Sequence, residues 1–377
     1  MTTYQIFLAF LYFFIVLVIL PIFCSEKVYS VFYQGDETKA DITERINMEY
    51  RRQGVEKYLE NMDPQSSRTF HEARLSTPLD NLIIVMAKRP EHPEDLVLSQ
   101  LVTEIDRSLR AETFYRSAMF ICNTTRVPFT ELDRLALFYP VRPSENTTKW
   151  KLFNPQEVLK HDFVDCVTQG MKGAPFNHVT LVRDVVVPYA GSLGGLNYLL
   201  ANRLSRTLVR GDLRQREGSW LFLHLHEPVA FRHYEMTGEC LRELLLVAIF
   251  GGGMFASVFR WLEGPHQPPS LRATYAFYGA LYCLTLALSV GRPYVSEVRR
   301  AATAFYRLYD PPQPAHFSAM ALPASILPPL LTQLDLLRCS AYTPFHEVLD
   351  HMVNTLEAPA YVVSPSLFRY VARGQGK

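Results

Sequence analysis

Two apolar runs in the second half of the chain, 244–262 (LLLVAIFGGGMFASVFRWL) and 275–290 (YAFYGALYCLTLALSV), constrain the fold more than any other feature. The first carries one charge, Arg260, near its end, and the second carries none. The link between them, GPHQPPS, is too short for a domain and too proline-rich to continue a helix. A transmembrane hairpin fits this pattern. Both runs are at the short end for crossing roughly 30 Å of hydrocarbon, so a buried helical pair in a soluble core is the competing reading. Arg260 and Arg272 bracket the tip, which places it on the cytosolic side by the positive-inside rule.

A third run, residues 4–24 (YQIFLAFLYFFIVLVILPIFC), is nearly uncharged and long enough to span. A cleaved signal peptide would show a basic start and a shorter apolar stretch. No Lys or Arg precedes this run, so an uncleaved anchor is expected. With the hairpin tip cytosolic, residues 25–243 and 291–377 share the lumenal compartment. The sequons at Asn123 and Asn146 fall in that region and are expected to carry glycans.

Lys and Arg total 38 against 37 Asp and Glu, a balance that gives no polyelectrolyte signal and makes nucleic acid, which needs a concentrated basic face, a poor partner. Cys24, Cys240 and Cys283 lie in or beside the apolar runs and read as small apolar residues. Cys122, Cys166 and Cys339 would face an oxidising lumen, where a disulfide is permitted. No pair of cysteines has zinc-site spacing.

The soluble segments alternate strand-like and helix-like stretches. Residues 82–87 (LIIVMA), 117–122 (SAMFIC), 178–187 (HVTLVRDVVV), 220–225 (WLFLHL) and 360–363 read as strands. Residues 93–109, 155–170, 325–337 and 344–356 read as helices, the second capped by Asn154 with Pro155 at its first position. This alternation predicts an α/β sheet with its site at the strand ends. The expected division is an anchor (1–24), a charged helical stem (25–79), a first half-domain (80–243), the hairpin (244–290) and a second half-domain (291–377).

Residues 181–188 (LVRDVVVP) carry the clearest chemical signal. An apolar strand ending in a carboxylate can present oxygen to a hard cation, but Mg²⁺ or Mn²⁺ needs several oxygens, and Asp184 stands alone between Arg183 and Val185. His224 and His226 share a strand face and could chelate zinc with Glu227, a weak pattern without a further ligand. No GxSxG elbow supports a serine hydrolase.

The segments WLFLHLHEPVAFRHY, GRPYVSEVRRAATAFY, AMALPASILPPLL and AYVVSPSLFRYV, arranged around the hairpin, resemble a known family. It is the N-acetylgalactosaminyltransferases that add a side-branch sugar to glycosylphosphatidylinositol (GPI) anchors in the Golgi. The resemblance implies a glycosyltransferase-A-like, Rossmann-like α/β domain split by a transmembrane helical hairpin, with an N-terminal transmembrane anchor. It also implies a UDP-sugar donor, UDP-GalNAc first, and a GPI-anchored glycolipid or protein as acceptor.

On this likeness the family's Glu-Asp-Asp metal motif falls on Arg183, Asp184 and Val185, so only Asp184 survives as a ligand. The acid closing the family's first strand falls on Lys88, just after Ala87, and its metal-type histidine falls on Tyr370. Asp162 matches an acid in the helix before the metal strand. Glu347 aligns with an acid that is a catalytic or acceptor-binding candidate. Cys122 and Cys166 match two family cysteines and would bridge. Two expectations follow, and the residues leave both open: transfer without Mn²⁺ or Mg²⁺, with Lys88, Arg89 and Arg183 offsetting the diphosphate charge, or an inactive relative that binds GPI glycans or an active transferase.

Overall fold

A computed structural model describes the chain except for residues 1–2, 25–29, 31–36, 90–94, 126, 128, 145–153, 205–219, 227–233, 235–237, 264–268, 302, 311–316, 341 and 371–377. Asn146, Glu227 and most of the link between the two apolar runs lie outside the described residues. The chain divides into two compact units, one of residues 1–45 and 229–301, the other of residues 46–228 and 302–377.

The larger unit is built on an eight-stranded sheet in the order β3-β2-β1-β4-β8-β6-β9-β7. Its strands are β1 (Leu79–Ala87), β2 (Ser117–Asn123), β3 (Val141–Pro143), β4 (Phe176–Arg183), β6 (Leu223–His224), β7 (Arg307–Tyr309), β8 (Ala319–Pro323) and β9 (Tyr361–Ser364). Strands β5 (Val186–Pro188) and β10 (Phe368–Tyr370) form a separate antiparallel pair. β1 is parallel to both β2 and β4, and β8 is antiparallel to β4 and β6. The sheet is thus mostly parallel and is shared by segments from before and after the apolar hairpin.

β1 is a continuous apolar run because both of its faces are covered. Ile83 and Val85 enter one core with Leu101 and Ile105 of the Val97–Ala111 helix. Leu82, Ile84 and Met86 enter the other core with Phe163 and Val167 of the Pro155–Met171 helix. Successive side chains of a strand point to opposite faces, so one strand feeds both layers. The Pro155–Met171 helix starts at Asn154, whose side chain accepts the Gln156 N–H, with proline at the first position. Cys122 on β2 and Cys166 on this helix are bonded. The crosslink closes a loop with a sequence separation of 44, so replacing both by Ala is expected to cost about 4 kcal/mol. Thermal unfolding of purified protein would read this as a lower midpoint.

Several expectations change. The strand expected at 178–187 breaks at Asp184 and Val185, where the backbone turns out of the sheet before β5. The strand expected at 220–225 contracts to Leu223–His224, although the flanking residues stay buried. The segment read as a stem is no free tether. Met48, Val55 and Leu59 are buried in the core, and the Pro64–Leu75 helix places Ser67 and His71 inside.

In the smaller unit, two helices are long and apolar enough to cross a membrane, Cys240–Leu262 and Leu271–Val290. Their outward side chains, among them Phe250, Met254, Trp261 and Phe277, are exposed and apolar, as lipid contact requires. The helices pack closely through glycine. A Cβ on Gly251 would lie 2.4 Å from Cys283, and one on Gly279 would lie 2.3 Å from Phe255. Small residues let two backbones approach in this way. Gly251→Leu is therefore expected to push the helices apart, costing about 3 kcal/mol. Faster thiol labelling of Cys283 in membranes would reveal the separation.

Buried Glu243 closes the ends of the pair, accepting from Arg292 at 3.1 Å and Arg299 at 2.7 Å. The N-terminal run is helical from Thr3 to Cys24, and its apolar part over Ala9–Cys24 is shorter than the other two helices. It contains a π-helical stretch at Ile15–Ile19 just before Pro21. Proline lacks an N–H and crowds the preceding turn, which the wider π turn relieves. Tyr12 in this helix bonds Thr285 at 2.7 Å.

Candidate functional site

The carboxyl ends of β1, β2 and β4 converge where the Pro155–Met171 helix begins. A cavity of about 190 Å³ opens there, lined by Met86, Lys88, Thr124, Pro155, Gln156, Val158, Leu159, Asp162, Arg183 and Asp184. The crevice beyond the carboxyl ends of parallel strands is where open α/β sheets take ligands. Strand alternation explains the membership. Met86 and Lys88 lie on the same side of the β1 line as the helix, as do Leu181 and Arg183 on β4.

Four residues singled out in the sequence, Lys88, Asp162, Arg183 and Asp184, therefore border one cavity. Ala87 and Val185 do not. Ala87 is fully buried on the opposite face, and its carbonyl accepts from the N–H and hydroxyl of Thr124. Val185 packs against the same core as Ala87. Arg89 is exposed outside the lining. Tyr370 ends β10, its backbone paired with Val186. Glu347 is exposed in the first turn of the Phe345–Thr355 helix and is not part of the cavity wall. Asn123 is half-buried at the end of β2, its side-chain oxygen accepting from the Thr125 N–H and hydroxyl.

Asp184 ties two strands together. Its Oδ2 accepts the Lys88 backbone N–H at 3.0 Å. Burial of the carboxyl pushes its pKa up to about 6, against the lowering effects of that hydrogen bond and the Arg183 and Lys88 charges. Arg183 donates from one guanidinium nitrogen to the Phe317 carbonyl at 3.1 Å. The Lys88 side chain is exposed and makes no ion pair among the described residues. Nearby, Glu131 accepts the Ser99 N–H at 2.7 Å, and burial raises its pKa, with the charge of Asp184 adding to the effect.

Two carboxylates, Asp162 and Asp184, border the cavity beside Lys88 and Arg183. With Asp184 already engaged by a backbone N–H and two cations in the same lining, the site is a poor fit for a hard divalent cation, which takes several oxygens. Among the described residues, no group of three or more His, Cys, Asp and Glu side chains could hold a metal ion. His224 and His226, expected as a zinc pair, have no third ligand among the described residues, and Glu227 lies outside them. His224 is buried and pushed down to about 4, first by burial and then by His226, whose Nδ1 contacts the Phe368 carbonyl at 2.8 Å.

Sequence reading missed Thr124 and Gln156 as cavity residues. Gln156 has the appearance of an ordinary first-turn helix residue, but its Oε1 accepts the Phe345 N–H at 3.1 Å, across the chain from the second half-domain. More contacts bind the same helix to that segment. Asn154 donates to the Cys339 carbonyl at 2.8 Å, Glu157 accepts the Cys339 N–H at 2.6 Å, and Lys160 donates to the Leu337 carbonyl.

A mixed α/β domain with a mostly parallel sheet, a polar cavity at its strand ends and an inserted pair of membrane-length helices defines the class of protein. A profile of the family described as GPI-N-acetylgalactosamine transferase PGAP4 matches residues 81–369. The chain belongs to this family, which implies a GPI glycan as acceptor. No curated protein matches the chain significantly.

Proposed function

We propose that the chain is a Golgi glycosyltransferase that moves N-acetylgalactosamine from UDP-GalNAc to the glycan of a GPI anchor without a metal ion. Family membership supports the reaction class, and one observation supports the metal-free form: Lys88 and Arg183 stand in the lining of the cavity that would take the donor diphosphate, beside Asp162 and an Asp184 carboxyl already bonded to a backbone N–H. In this reading the domain is glycosyltransferase-A-like and lumenal, with the N-terminal helix as a third span.

The anomeric carbon–oxygen bond to the β-phosphate breaks, and UDP leaves with its electron pair. Arg183, held by the Phe317 carbonyl before the charge develops, stabilises the departing diphosphate electrostatically, and the exposed Lys88 adds its charge. The acceptor hydroxyl forms the new bond and gives its proton to Glu347. Asp184 holds Lys88 to the end of β4 instead of ligating a cation.

The second reading is an inactive relative that binds GPI glycans or an active transferase, favoured by the loss of the flanking carboxylates. Turnover of UDP-GalNAc by purified full-length protein on a GPI glycan acceptor separates the two. Transfer unaffected by EDTA supports the proposal. No transfer with or without Mn²⁺, while the glycan still binds, supports the inactive relative.

A further inference from the structure

Gln156 belongs to both sides of the site. Gln156 lines the cavity with Lys88, Asp162, Arg183 and Asp184, while its Oε1 accepts the first N–H of the helix that carries Glu347. That helix has Pro344 at its cap position, which supplies no side-chain hydrogen bond, so Gln156 acts as its cap from another element. Because a backbone N–H can bond only to the amide oxygen, the orientation of the side chain is fixed, and Nε2 remains as a donor. Nε2 makes no hydrogen bond among the described residues.

We propose that Gln156 is a two-ended positioning residue: Nε2 donates to an anionic ligand in the cavity, while Oε1 holds the start of the Glu347 helix. This rests on the reading of the cavity as the donor-diphosphate site. The physical consequence is coupling. Occupancy of the cavity fixes the Gln156 side chain, and a fixed Gln156 holds the helix that presents Glu347, so donor binding orders the acceptor side.

Two substitutions separate the two ends. Gln156→Glu keeps an acceptor for the Phe345 N–H but replaces the amide donor with a negative charge. Gln156→Met has similar length and provides neither. Both are measured in full-length protein in nanodiscs, by calorimetric titration with UDP, by kcat and KM for UDP-GalNAc, and by melting temperature.

Gln156→Glu is expected to weaken UDP binding at least ~10-fold with an unchanged melting temperature, which excludes misfolding as the cause. Gln156→Met is expected to weaken UDP binding, to lower kcat at saturating donor several-fold and to lower the melting temperature, the last an effect that Gln156→Glu lacks. UDP binding and kcat equal to wild type in Gln156→Met would overturn the role of Gln156 alone. A wild-type protein that binds no UDP overturns the donor-site reading, and this inference with it.

Discussion

Arg183→Ala is expected to lower transfer from UDP-GalNAc by roughly 10²–10³-fold, with EDTA leaving both wild type and variant unchanged. The size follows from where charge appears. A diphosphate leaving group gains negative charge as the sugar departs, and a fixed guanidinium opposes that charge without reorganising. Arg183 is held by the Phe317 carbonyl at 3.1 Å, so its position is set before the donor arrives. Lys88→Ala should cost less, because its side chain is exposed and solvent screens its charge. Initial rates with and without chelator measure both effects. Wild-type activity abolished by EDTA and restored by Mn²⁺ would contradict the cationic mechanism.

Asp106→Ala is expected to destabilise the sheet domain by ~3–5 kcal/mol, lowering its melting point on the order of 10 °C. Asp106 is fully buried and receives four side chains. One carboxylate oxygen bonds His71 Nε2 at 3.0 Å and accepts from Arg110 Nε at 2.9 Å. The other accepts from the Tyr58 hydroxyl at 3.1 Å and the Tyr139 hydroxyl at 3.2 Å. Alanine would strand the donors of His71 and Tyr139, both fully buried, and remove the partner that half-buried Tyr58 and the more exposed Arg110 share with them. Asp106→Asn, which keeps the shape and one acceptor, should cost less.

The same cluster predicts acid sensitivity. Burial pushes the Asp106 carboxyl up, but the bond to His71 and the charges of His71 and Arg110 outweigh it, leaving the value below the usual 3.8. A depressed folded value means that the stabilisation is complete above the unfolded value and vanishes as pH falls through the folded one. Melting temperature followed downward from pH 5 should show a loss in wild type that Asp106→Ala lacks.

How much of this was legible depended on local chemistry. β1 and β2 were readable because strands covered on both faces are uninterrupted apolar runs. The Pro155–Met171 helix announced itself through Asn154 and Pro155. β8 was missed because AMALP is short, ends in proline and contains only small or flexible residues. The structural part of the stem was missed because Met48, Val55 and Leu59 are sparse among charged residues, so their burial needs a tertiary partner to become visible.

At the site, resemblance brought out Lys88, Asp162, Arg183 and Asp184. It also carried along Ala87 and Val185, whose side chains enter the opposite core. Gln156 gave no signal, since its importance lies in a bond to Phe345, far along the chain.

The position of β8 has a consequence for biogenesis. It lies between β4 and β6, two strands made before the membrane-length pair, yet β8 itself is made after that pair. Until residue 323 has emerged, the neighbouring edges of β4 and β6 stay open, with their peptide groups unpaired. Translation therefore presents an unfinished sheet for the whole time the helical insertion is synthesised. During that interval the nascent chain is exposed to strand-edge mispairing, and quality control has its widest opening to act.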